Sequence, residues 1–309
     1  MTDSMPALPE ENKIRGAALW RYYVFAAAAS VAGAVLRLVL LLYDYDFKLG
    51  LYKAGTVLPQ VFTVFLGVSV ALLLTIPLVC RNIALPTELP PVSTQLTFVS
   101  ALTGFAMFAT VVMQLIMHLS FEIGLSGWKS ALASGLEIAM QAFALPSAAY
   151  FVAMAVRRDP YRPSTAALGF FPVLWASSYL MCVYFDMSTT LNNPLRILEQ
   201  ASLIVVMAFM LMELRCLVGK ARPHIYITFG MTAMVMITSS SLPTLLLTMA
   251  RKMDVSVDTI YDAAKVCFAA YIAVRLADMI RAAGRDKAEK QPVAESEAAG
   301  GGTGAAASS

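Results

Sequence analysis

The stretch Tyr22–Tyr43 reads YYVFAAAASVAGAVLRLVLLLY, with Arg37 as its one charged residue. A helix rises about 1.5 Å per residue, so about 20 apolar residues cross the roughly 30 Å hydrocarbon of a bilayer. Lys13, Arg15 and Arg21 precede the stretch, and its alanines and Ser30 resemble a signal-peptide cleavage region. The apolar run continues past them to Tyr43, which is too long for a signal core. We read it as an uncleaved first membrane helix.

The same pattern recurs along the chain. Further windows run approximately over Val57–Cys80, Leu96–Leu119, Ala131–Val156, Ala166–Phe185, Ile197–Val218, Tyr226–Ala250 and Thr259–Ile280. The last is the least hydrophobic. Pro86, Pro90 and Pro91, then Pro160 and Pro163, then Asn192-Asn193-Pro194 punctuate the gaps, as breakers do. Pro77, Pro146, Pro172 and Pro243 fall inside windows and are expected to kink them. The fold class is therefore all-α, a polytopic membrane bundle of about eight transmembrane helices.

Composition agrees. Of the 309 residues 59% are hydrophobic and only 14% charged, against about 25% charged in an ordinary soluble domain. Mean hydropathy is +0.69. The net charge of +3 comes without any basic run suited to nucleic acid, so no nucleic-acid partner is expected. The expected partner of most of the chain is the lipid bilayer itself.

The membrane domain spans residues 16–281. Residues 1–15 and 282–309 read as disordered cytoplasmic ends, the latter rich in Ala, Gly, Ser, Glu and Lys, because nothing in them offsets the entropy of ordering. With the N-terminus in the cytoplasm, 15 lysines and arginines fall on the cytoplasmic side and 6 on the other. That bias places both termini inside, which agrees with an even number of helices.

Leu41-Leu42-Tyr43-Asp44 and Val183-Tyr184-Phe185-Asp186 close the first and fifth windows alike. Each is followed by a helix ending on a basic residue, Arg81 or Arg215. This suggests two parallel four-helix repeats, residues 16–156 and 166–281, with chance similarity at the membrane edge as the competing explanation.

Ionisable groups at membrane depth are costly and are usually turned inward and paired. Arg37, Glu137, Gln141, Asp262 and Lys265 all fall in the non-cytoplasmic halves of their helices. Ser134, Glu137 and Gln141 share one helix face, and Asp262 can pair with Lys265 three residues on. These five residues are the candidate ligand-binding set, lining a polar cavity open to the non-cytoplasmic side. Ser239-Ser240-Ser241 ahead of Pro243 can add hydroxyls and freed carbonyls. The competing reading is snorkelling to the headgroups, since Arg37 is only about 7 Å from the expected boundary. Gln60, His118, Glu199 and Gln200 fit snorkelling better. The cytoplasmic halves are apolar until Glu213 with Arg215, and Arg275 with Asp278, which read as interfacial pairs on single helices.

Other chemistries lack their motifs. There is no HExxH, Walker A loop or GxGxxG, so no metal, nucleotide or other cofactor is expected. Gly124-Leu125-Ser126-Gly127 superficially matches a rhomboid-type nucleophile but falls in a loop without a reachable base. No catalytic residue is assigned, and the chain is not read as an enzyme. Cys80, Cys182, Cys216 and Cys267 stand singly as small apolar packing residues. The 18 methionines read as gap-fillers.

Tyr184-Phe185-Asp186 through Pro194, with Met212-Glu213-Leu214-Arg215, resembles uncharacterised multi-pass membrane proteins of Clostridia and their relatives. So does Leu42-Tyr43-Asp44 with Gly50-Leu51-Tyr52. The resemblance implies eight helices and a bacterial inner-membrane location, and no particular activity. Two functional readings follow: a transporter or binder of a small polar solute, and a membrane-embedded sensor or accessory subunit acting through a membrane-protein partner.

Overall fold

The computed structural model describes residues 9–46, 51–53, 55–81, 83, 85–86, 89–121, 131–156, 163–186, 193–250 and 257–300. The Gly124–Gly127 motif and Trp128 lie outside them. The helices are α1 (Pro9–Tyr43), α2 (Leu58–Leu74), α3 (Ile76–Val79), α4 (Thr94–Phe121), α5 (Ala131–Val156), α6 (Pro163–Leu168), α7 (Phe171–Phe185), α8 (Pro194–Leu217), α9 (Pro223–Met249) and α10 (Val257–Gly300). A two-stranded antiparallel hairpin, β1 (Tyr45–Asp46) with β2 (Leu51–Tyr52), follows α1. It marks what we call the hairpin end of the bundle; the other is the Arg275 end.

The in-window prolines act in two ways. Pro77 and Pro172 each sit in the first turn of a new helix, α3 and α7. There the missing N–H is harmless, and the rod breaks just before it. Pro146 and Pro243 stay inside α5 and α9. Taking α2–α3 and α6–α7 as broken single rods, eight long rods result among the described residues. Seven of them, between Ala18 and Met249, are long and apolar enough to cross a membrane. The eighth, α10, does not meet that measure because it carries Asp262, Lys265, Arg275 and Asp278. All four of these side chains are buried against other helices.

α9 is the hub. Some 78% of its apolar window is buried, against 28–44% for the other six spans. It packs on α1, α8 and α10, and α4, α5 and α7 complete the ring. Its Gly, Ala, Ser and Thr residues suit close helix contact better than contact with lipid. At Gly230 an added Cβ would meet Leu276 at 2.8 and 2.9 Å and Phe209 at 3.0 Å. Leu276 and Phe209 are fully buried and have no room to yield. Gly230→Val is therefore expected to cost about 1–3 kcal/mol through overpacking, read as a lower unfolding midpoint of the detergent-solubilised protein.

The outer surface is apolar. Val61, Val64, Val68 and Leu72 on α2, and Phe98, Phe105 and Phe108 on α4, are all exposed. A contiguous surface of this kind belongs in hydrocarbon, not water. An apolar groove of about 550 Å³ between α4 and α5 is lined by Gly104, Phe105, Leu145 and Pro146 among others. It carries no charge and is a crease in this lipid-facing surface.

The helix pairing does not show two equivalent halves: α1 packs closely on α9, with no comparable packing of α7 on α4. α10 is helical to Gly300. Ala, Glu and Lys, common in its last stretch, are good helix formers. Residues 301–309 lie outside the described ones.

Candidate functional site

In the hairpin-end half, Glu199 and Asp262 converge on Lys265. Its Nζ donates to Glu199 Oε1 at 2.7 Å and pairs with Asp262 Oδ1 at 2.8 Å. The Tyr179 hydroxyl donates to the same Glu199 oxygen at 2.5 Å. The Lys265 ammonium also lies 5.4 Å from the centroid of the Tyr179 ring, within cation–π range. Lys265 and Asp262 are buried, while the Glu199 side chain keeps 28% of its surface exposed. Glu199 is thus the open face of the cluster.

Arg37 approaches from α1. It is only 3% exposed, and its Nη1 donates to the Ser239 carbonyl at 3.1 Å. The reason lies four residues further on. Pro243 has no N–H, so the helical acceptor at Ser239 is left without its usual donor. Arg37 supplies one. Gly33, one turn back on α1, permits the approach, because a Cβ there would stand 2.3 Å from the Ser239 hydroxyl. The charges of Asp262 and Glu199 both act on the Arg37 guanidinium, whose Nε has no hydrogen-bond partner.

Arg37→Met is expected to cost about 1–3 kcal/mol by orphaning the Ser239 carbonyl. Adding Pro243→Ala returns a backbone N–H and should recover most of that loss. Chemical unfolding of the two variants in detergent measures the difference.

The hairpin covers this end. Tyr45 and Tyr52 form an edge-on pair with centroids 5.7 Å apart. Burial pushes both phenols above the ordinary tyrosine value, outweighing the opposite pull of Arg37. At neutral pH both remain protonated donors.

The structure thus brings together Arg37, Asp262 and Lys265 of the five residues expected from sequence. Gln141 joins at the edge, its amide donating to the hydroxyl of Tyr261, whose ring lies 5.2 Å from that of Tyr179. Glu137 is half-buried one turn further toward the hairpin end. The second carboxylate of the cluster is Glu199, which the sequence reading left to the interface. No spacing within α8 signals its role, because its partners are on α7 and α10.

Glu213 does not pair with Arg215, two residues away on the same helix; such neighbours point in different directions. It faces Arg275 instead, with Oε1 3.4 Å from Nε and both side chains fully buried. Asp278 accepts from the Ser93 hydroxyl at 2.6 Å and meets Arg281 at 3.4 Å. The Arg275-end halves of these helices, expected to be apolar, are therefore not apolar inside.

Among the described residues, no group of three His, Cys, Asp or Glu side chains is placed to hold a metal ion. Seven apolar spans, a lipid-facing apolar surface and inward-turned charges define a polytopic α-helical membrane protein. Comparison with family models, curated proteins and solved structures found no match.

Proposed function

We propose that this protein binds a small charged or zwitterionic solute at the Arg37–Glu199–Asp262–Lys265 cluster and carries it across a bacterial inner membrane. One observation carries the reading. Arg37 is a buried guanidinium held by a backbone carbonyl, with its carboxylate neighbours already engaged by Lys265. An isolated buried cation is costly, and one that retains unused donors is suited to receive an anion. A solute carboxylate fits Arg37, and a solute ammonium fits the exposed side of Glu199. The arrangement is internally balanced when empty, with two cations and two carboxylates.

In this reading α10 is the eighth span. Its charges lower its hydropathy but point into the bundle, where they carry no lipid cost. Both termini are then cytoplasmic, and the cluster opens away from the cytoplasm. The Glu213–Arg275 pair supports transport over simple binding, because it puts polar groups in the other half of the bundle.

A thermal-shift screen of detergent-purified protein against amino acids, carboxylates and amines tests the proposal. Stabilisation is expected with the wild type and with Glu137→Gln. It should be lost in Lys265→Met and in the stability-compensated Arg37→Met/Pro243→Ala. Absence of a shift across all three classes would move the function to a sensor or accessory subunit that acts through a partner protein.

A further inference from the structure

Arg275, Glu213, Tyr150, Tyr226 and Tyr271 come from four different helices, and all are fully buried. Glu213 Oε1 accepts the Tyr271 hydroxyl at 2.5 Å and faces Arg275 Nε at 3.4 Å. Tyr150 and Tyr271 both meet the Phe151 ring edge-on at 5.1 Å, and Tyr226 stacks at 5.0 Å on Phe209, one turn from Glu213 on α8. Four polar atoms of this group have no hydrogen-bond partner: Arg275 Nη1 and Nη2, Glu213 Oε2 and the Tyr226 hydroxyl; the Tyr150 hydroxyl hydrogen-bonds with Glu213 and Tyr271. Native interiors leave only a few such atoms per hundred residues. Four around one ion pair call for an occupant. The guanidinium needs an acceptor, whereas Glu213 Oε2 needs a donor. An anion or an apolar ligand meets one need or neither. Water meets both in the smallest volume.

The layer between this group and the Lys265 cluster is aromatic. Phe268 lies one turn from Lys265 and one turn from Tyr271 on α10. Its ring meets Phe151 edge-on at 5.4 Å, and Phe151 meets Tyr271 at 5.1 Å. The Tyr271 hydroxyl is turned to Glu213, leaving ring faces and edges in the layer itself.

We propose that the Glu213–Arg275 group encloses an internal water chamber that conducts protons toward the Arg275 end, closed off from the Lys265 cluster by the Phe151–Phe268 layer. Glu213 takes a proton from a chamber water on the barrier side and returns one to water on the other. The chamber would be the second half of the route proposed above, and that clause alone rests on the solute-binding reading; the water itself does not.

Radiolytic hydroxyl-radical labelling of the full chain, read by mass spectrometry, tests the chamber directly. Radicals form from bound water, so Tyr150, Tyr226 and Tyr271 should label within about tenfold of the exposed Tyr43 despite their burial. Met107, equally buried but apolar in its surroundings, should label far less despite its more reactive sulfur. Tyrosine labelling no higher than at Met107 would overturn the chamber. The barrier is tested in proteoliposomes loaded with a pH dye under an imposed potential. Phe268→Ala should raise proton permeability about tenfold or more over wild type. Adding Glu213→Leu with Arg275→Met should return it to the wild-type level. A folded Phe268→Ala with unchanged permeability would overturn the barrier and the proton route. Labelled tyrosines in a protein that binds no solute would leave the chamber standing and remove only the solute reading.

Discussion

Arg275→Met should destabilise the bundle by about 3–5 kcal/mol, the cost of leaving one member of a fully buried ion pair without the other. Glu213 would retain the Tyr271 hydroxyl, but one neutral donor does not replace a guanidinium. The companion substitution decides the interpretation. Glu213→Leu together with Arg275→Met removes both charges and fills similar volume with apolar atoms. Such paired replacement is often neutral or stabilising. The residual deficit should be about 1 kcal/mol, for the Tyr271 hydroxyl left without its acceptor. Unfolding midpoints of the two single variants and the double form a mutant cycle. A large coupling energy is expected. Near-additive losses would show that the two residues do not sense one another, against the 3.4 Å approach.

Lys265→Met should cost nearly as much, about 2–4 kcal/mol, because one ammonium serves two carboxylates. The two losses are unequal. Glu199 is partly exposed and keeps the Tyr179 donor, whereas the Asp262 side chain is only 9% exposed. Asp262→Asn added to Lys265→Met should therefore recover more stability than Glu199→Gln added to the same variant. Equal recovery would mean that water reaches both carboxylates alike. The same measurements separate fold from function. A double variant that regains stability but not solute-induced thermal shift places Lys265 in the binding machinery rather than only in the frame.

The Arg37–Ser239 contact shows how far a sequence reading can reach into a site. A proline removes a donor at a fixed offset, so the freed carbonyl at Ser239 follows from Pro243 alone. A lone arginine in an apolar run needs an acceptor, so Arg37 must turn inward or snorkel. That these two needs meet is tertiary information. It depends on α1 packing against α9, and on Gly33 allowing the approach.

What the amino-acid order determined by itself is the set of elements. Long apolar windows, breaker clusters and in-window prolines specify membrane rods and their breaks, because the backbone in hydrocarbon has no partner except its own helix. It also determined which residues are out of place there, Arg37, Asp262 and Lys265 among them, and the i,i+3 contact of the last two. Tertiary structure alone decided the partners across helices: Glu199 for Lys265, Arg275 for Glu213, Ser93 for Asp278. The physical reason is range. Helical periodicity fixes neighbours three and four residues apart, whereas an ion pair between α8 and α10 depends on the rotation and depth of two rods. Those are set by small-residue contacts such as Gly230 against Leu276, and no local pattern in either helix encodes them.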